Sequence, residues 1–199
     1  MTVDLQTPLL TARGPLDGRA EAFAAVTGDV AIRALPLARS YNIRIDPARA
    51  EALVAVLGAP LPGVSRWNAT EDGGTIVWLG PDEFLLSDPA GSADLETELR
   101  AAVLPSGGAV VEQSGQRVSV LVSGDARGLL AKGTAVDLHP SAFPLGTAVQ
   151  SFLGQSTVVL LARSRDASEI ELLVRSSFAR SVGDWLLDAV GDPLAYPAG

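Results

Sequence analysis

In the stretch "YNIRID", Tyr41, Ile43 and Ile45 alternate with Asn42, Arg44 and Asp46, the period-two pattern of a half-buried strand. At Asp46 the period changes. Asp46 is placed to accept from the free N–H groups of a first helical turn, Pro47 suits the first helical position, and Ala50, Leu53, Val54 and Leu57 form one apolar stripe. Gly58 ends the stripe as a helix stop. "TIVWLG" (75–80) and "EFLLSD" (83–88) predict two strands joined by the turn Gly80-Pro81-Asp82. Ser92 then reads as the cap of a helix whose Leu95, Leu99 and Val103 face inward.

After "PSGG" (105–108) the order starts again. "RVSVLV" predicts a strand, "GDARGLLAKG" a short helix ended by Gly133, and "TAVQSFL" and "STVVLLAR" a hairpin across Gly154-Gln155. "EIELLV" repeats the strand pattern. A last helix from Ser176 or Ser177 is expected to carry Phe178, Val182, Trp185, Leu186 and Ala189 on one face. "TIVWL" (75–79) echoes "TVVLL" (157–161), and "EFLL" (83–86) echoes "ELLV" (171–174), in the same order. Two βαββα-type halves, each with one apolar sheet face, would bury those faces by joining. The predicted class is therefore α+β: a single domain over residues 39–192, made of pseudo-repeats at about 39–105 and 106–192. Pro8, Gly14, Pro15, Gly18 and Pro36 make residues 1–38 read as an extended arm, broken only by a short helical pattern around Glu21 to Val26. Residues 193–199 read as a tail.

Composition narrows the chemistry. With 47 % apolar and 19 % charged residues in 199, the chain can bury a core without staples. A net charge of −8 argues against nucleic acid as a partner, since that affinity rests on clustered Lys and Arg. Lys132 is the only lysine among fifteen basic residues; this arginine skew fits either carboxylate-binding forks or a G+C-biased genome, and the genomic reading is the simpler. Zero cysteines exclude disulfides, thiolate metal sites and a Cys nucleophile. The longest apolar run, "TVVLLA", is too short to span a bilayer, and no basic segment followed by an apolar one opens the chain, so no membrane partner and a cytoplasmic location are expected.

Catalytic motifs are missing. There is no G-x-G-x-x-G after a strand, no G-x-x-x-x-G-K, no H-E-x-x-H and no G-x-S-x-G. His139, the single histidine, could form an acid–base pair with Asp137, but Pro140 ends any strand there. A loop histidine bonded to backbone or to a neighbouring chain is the preferred reading. Lys132 at the end of its helix suits the helix dipole. Trp78 and Trp185 fall on apolar faces, which leaves Trp67, beside Arg66, as the aromatic expected at an interface.

"WLGPDEFLL" (78–86), "SGDARGLLAKGTAVDLHPSAFPLG" (123–146) and "WLLDAV" (185–190), taken together, resemble the gamma subunits of bacterial heterotetrameric sarcosine oxidases. The resemblance spans roughly residues 35–190 and is carried above all by D-L-H-P-x-x-F-P paired with W-L-G-P-D-E-F. It implies a fold similar to the folate-binding domain of the glycine-cleavage aminomethyltransferases, a duplicated α+β unit with swapped strands. It further implies larger alpha and beta subunits that hold FAD, FMN, NAD and tetrahydrofolate, and a reaction that oxidatively demethylates sarcosine to glycine. The folate-binding relatives place a carboxylate in a hairpin of the pattern N-x-x-G-x-x-x-D; the matching stretch 152–159 carries no acid. The resulting expectation is a non-catalytic subunit with no catalytic, cofactor-binding or metal-binding residues of its own, supporting assembly of its partners. Trp67, Pro81, Asp82, Asp137, His139, Pro140 and Phe143 are its expected interface residues. The alternatives are a free-standing folate-binding aminomethyltransferase-like protein and the gamma-type subunit of a related N-methyl amino-acid dehydrogenase.

Overall fold

The structure, a computed structural model, describes residues 13–191, so the expected tail at 193–199 lies outside the described residues. Two five-stranded sheets, antiparallel throughout, organise the chain. In the first, β3 (Trp67–Ala69), β4 (Thr75–Gly80), β5 (Glu83–Asp88), β2 (Arg39–Arg44) and β6 (Ala109–Glu112) lie side by side in that order. In the second the order is β8 (Ala148–Leu153), β9 (Ser156–Ala162), β10 (Glu169–Arg175), β7 (Arg117–Gly124) and β1 (Val30–Ala34). The two orders correspond strand for strand once β1 and β6 are exchanged. Each half thus lends its first strand to the sheet of the other.

Most elements sit where the hydrophobic periods put them. Asp46 accepts from the Ala48 N–H at 2.9 Å and starts a short 3-10 turn over Pro47–Arg49, followed by α2 (Glu51–Leu57). Gly58 then closes the helix at φ +60°, a left-handed conformation that glycine adopts without a Cβ penalty. Asp125 caps α4 (Ala126–Ala131) through the Gly128 N–H at 3.0 Å. The exchanged strands were not legible. β1 has only Ile32 fully buried, its Ala31 and Ala34 weaken the apolar pattern, and β6 is four residues long; the unexchanged edge strand β3, three residues long, is equally silent.

Several expectations are corrected. Over its described part, the stretch expected to be an extended arm packs as structure. It holds α1 (Ala20–Ala24), which agrees with the helical pattern around Glu21, and then β1. Leu16 and Phe23 are buried against Gly183 of α5 (Ala179–Gly191), where a Cβ would meet Leu16 at 3.1 Å and Phe23 at 3.4 Å. Ser92 caps no helix: α3 (Leu95–Val103) starts later, and the Ser92 N–H donates to Asp88 Oδ2 at 3.0 Å. Phe178 leaves the apolar face assigned to it, because it lies in the 3-10 turn ahead of α5 and is exposed.

Helices α1, α4 and α5 lie on the outer face of the second sheet, over a core that includes Val120, Leu130, Leu160, Leu172 and Leu186. Helices α2 and α3 cover the first sheet over Tyr41, Leu53, Phe84 and Leu99. Among the described residues no helix is long and apolar enough to cross a membrane. The inner faces of the sheets meet over a smaller cluster of Val77, Leu79, Leu85, Ala148, Val159, Leu161 and Leu173.

Candidate functional site: the cleft between the sheets

A seam joins the sheets where β3 and β8 begin. The Trp67 N–H donates to the Gly146 carbonyl and the Ala148 N–H to the Ser65 carbonyl, both at 2.9 Å, around a single bridge between Arg66 and Thr147. Ser65 (φ +56°) and Gly146 (φ +87°) occupy equivalent positions in the two halves, and both are left-handed. The sharp turn at each lets two edge strands meet end to end. Arg66 adds a side-chain bond from Nη1 to Thr147 Oγ1 at 3.0 Å.

Beside the seam opens a cleft of about 510 Å³, within the range of small-molecule sites. Residues 35–38, the connection from β1 to β2, line one side of it; Val77, Leu85, Leu121, Leu161 and Leu173 make its apolar floor. Its polar centre is Arg163. The guanidinium donates from Nε to Glu171 Oε2 at 2.7 Å and from Nη2 to Thr75 Oγ1 at 3.1 Å, and Cζ sits 4.0 Å above the centre of the Trp67 ring. Trp67 in turn donates Nε1–H to the Ala162 carbonyl at 3.0 Å. The Glu171 side chain is only 7 % exposed, so this charge pair ties β9, β10, β3 and β4 together in a largely desolvated setting. Both charges are committed to each other. No nucleophile beside a base is formed here, and the arrangement is a structural clasp with an open pocket next to it.

The loop that presents Arg163 is held locally. Hydrogen bonds from Ser168 and Ser164 push the Asp166 carboxyl down to about 2. At the other end of the same inner sheet face a second groove of about 280 Å³ contains Arg117 and Arg175, and Arg117 borders both spaces. Burial, reinforced by the Arg175 charge, lowers the pKa of Arg117.

The expected interface residues do not converge. Trp67 is in the seam, half-buried under Arg163, because its indole finds a carbonyl and a cation there. Phe143 is 1 % exposed and belongs to the core, which removes it from any surface. Pro81 is exposed in the β4–β5 turn, where Asp82 is paired with Arg44 at 2.7 Å. Asp137 accepts from the His139 N–H at 2.9 Å, His139 Nδ1 lies 2.7 Å from Ser141 Oγ, and the His139 carbonyl accepts from Ala142 and Phe143. His139 thus organises an exposed loop ahead of half-buried Pro140, as the loop reading expected. Lys132 does serve a helix dipole, though of α5: Nζ donates to the Ala189 carbonyl at 2.6 Å. Arg163 and Glu171 went unnoticed in the sequence; the available signal was a glutamate inside the apolar strand "EIELLV".

Dinucleotide and flavin binding at a Gly-rich turn needs a parallel βαβ unit, and every strand pair here is antiparallel. At the hairpin where folate-binding relatives carry an acid, Gly154 packs on Trp185 and donates its N–H to the Gly133 carbonyl. Among the described residues no group of three or more His, Asp or Glu could hold a metal ion.

The model of the sarcosine oxidase, gamma subunit family matches residues 42–192. Sarcosine oxidase subunit gamma of Corynebacterium sp. (strain P-1) is 35 % identical over 191 residues, covering 93 % of both chains. The subunit of the same name from Arthrobacter sp. is 37 % identical over 184 residues, 89 % of each. Among solved structures, a chain of the heterotetrameric sarcosine oxidase from Corynebacterium sp. U-96, in complex with pyrrole 2-carboxylate, superposes with a TM-score of 0.83 at 29 % identity, over 94 % of this chain and 99 % of that one. The glycine cleavage system aminomethyltransferase T of Bartonella henselae superposes with a TM-score of 0.61 at 15 % identity, over 84 % of this chain and 48 % of that one, a likeness of fold alone.

Proposed function

The chain belongs to the sarcosine oxidase gamma subunit family, and from that premise we propose that it acts as the small, non-catalytic subunit of a flavin-dependent heterotetrameric sarcosine oxidase. In this reading it supports assembly of the alpha and beta subunits in the cytoplasm. FAD, FMN, NAD and tetrahydrofolate then sit in those partners, and the complex converts sarcosine to glycine. The observation that carries the reading is the likeness to a chain of a heterotetrameric oxidase over nearly the whole length of both. The Arg163–Glu171 clasp supports it, since the most buried charges of the cleft are used to hold sheets together. The fold in this reading arose by duplication of a βαββα unit with exchange of first strands, as in the folate-binding domain.

Co-expression with the larger subunits, followed by size measurement and a turnover assay, tests the proposal. The expected outcome is one hetero-oligomer that oxidises sarcosine, while the 199-residue chain alone neither turns over sarcosine nor retains flavin. Turnover by the isolated chain, or failure to associate with the larger subunits, overturns it.

A further inference from the structure

Across the inner face of the second sheet, β7 and β10 end on a rung where Arg117 and Arg175 stand directly opposite one another. Like charges in that position repel and destabilise a sheet. The chain holds 23 acidic residues, yet among the described residues neither of these two guanidiniums forms an ion pair. Arg117 donates only to the neighbouring Gln116 Oε1, at 2.6 Å. Glu83 faces it from the other sheet, beyond ion-pair distance, and accepts from Asn42 Nδ2 at 2.7 Å.

The rung continues outward. Extending the Val174–Val158 register puts Thr157 beside Arg175, and Thr157 pairs with Phe152 on the edge strand β8. Phe152 is 60 % exposed. Arg117, Arg175, Thr157 and Phe152 all border the 280 Å³ groove, past the point where Val159 and Leu173 are covered by the first sheet. Two guanidinium forks without an ion pair among the described residues, a hydroxyl and an exposed aromatic ring have the composition of an interface hot spot. Their charge is opposite in sign to that of the chain as a whole, which selects an anionic occupant.

We propose that this end of the second sheet docks an acidic segment of a larger partner subunit, with one carboxylate held between Arg117 and Arg175 and an adjoining apolar side chain on Phe152. The proposal rests on the subunit reading above. Repulsion in the free chain is then relieved on assembly.

The test uses the full chain co-expressed with its partners, comparing the wild type with R117Q/R175Q, with R175Q alone, and with R127Q on the opposite, helical side as control. The expected result is an affinity loss of at least about tenfold for the double variant, with a flatter salt dependence, and no change for R127Q. Free R175Q melts no lower than wild type, since it loses no attractive partner, and this single variant carries the test should the double variant fold poorly. Wild-type affinity and salt dependence in both R175Q and the double variant overturn the docking site while leaving the subunit reading intact. Wild-type assembly of both variants, together with acetate shifting the Arg117 side-chain N–H resonances of the free chain, overturns it in favour of a small-anion site. If the wild-type chain binds no partner at all, the parent reading fails first.

Discussion

The two ends of the inter-sheet space occupy equivalent backbone positions and do opposite things. In the first half, Ser40 pairs with Ser87 and Ser87 with Thr75, a rung of small hydroxyls closed in by residues 35–38 and by Arg163 reaching over from β9. In the second half the corresponding rung is Arg117, Arg175 and Thr157; Arg117 also borders the large cleft and is faced from the other sheet by Glu83 beyond ion-pair distance, while Arg175 and Thr157 open onto the 280 Å³ groove. The backbone is shared, so the difference lies in side-chain charge and in what covers it. A repeated architecture gives two chances at one site; here one end is satisfied internally and the other keeps unpaired charge at the surface.

The comparison breaks most severely at the closed end. Glu171→Leu leaves the Arg163 guanidinium largely buried without its carboxylate, and is expected to destabilise the chain by about 3 kcal/mol in chemical denaturation. An unchanged midpoint would mean that Arg163 swings out to water and that the clasp is dispensable. Trp67→Phe removes the bond to the Ala162 carbonyl and weakens the contact with Arg163, for an expected loss of about 1–2 kcal/mol. At the open end the sign reverses. Arg175→Gln is expected to leave the free chain as stable as wild type or to stabilise it by roughly 0.5 kcal/mol, because a cross-strand repulsion is removed. A clear drop in melting temperature would show that Arg175 has an internal role after all.

The smallest expected effect concerns the loop that presents Arg163. The Asp166 carboxyl is depressed to about 2 from an ordinary 3.8, so its stabilising contribution is present above about pH 4 and is lost as the pH falls toward 2. Asp166→Asn should flatten the acid limb of the stability profile in that window by lowering stability at neutral pH, where the carboxylate's contribution is present, and leave stability near pH 2 almost unchanged. A parallel acid limb in wild type and variant would place the depression elsewhere.

Legibility followed length and pattern. β2, β4, β5, β7 and the β8–β9 hairpin were readable because four or more residues alternate or run apolar between turn residues; the cap at Asp46 was readable as chemistry, whereas the cap at Asp125 emerged only in the structure. β1 was hidden by its alanines, β3 and β6 by their shortness. Of the expected interface residues, Phe143 shows why a loop motif misleads: a family marker rich in Pro and Phe says nothing about which side chain turns inward. His139 was readable as a loop residue because Pro140 follows it.

By itself, then, the sequence determined the α+β class, the internal echo, the absence of cysteine chemistry and the apolar stripes of the helices, all of which follow from local period and composition. Tertiary structure decided the exchange of β1 and β6 between sheets, the seam of Ser65 and Gly146, the Arg163–Glu171–Trp67 clasp and the opposed Arg117 and Arg175. Each of these is a pairing between residues far apart in the chain or across a hairpin. Register and facing arise only when both partners are folded, and no local pattern encodes which arginine will find a carboxylate and which will meet another arginine.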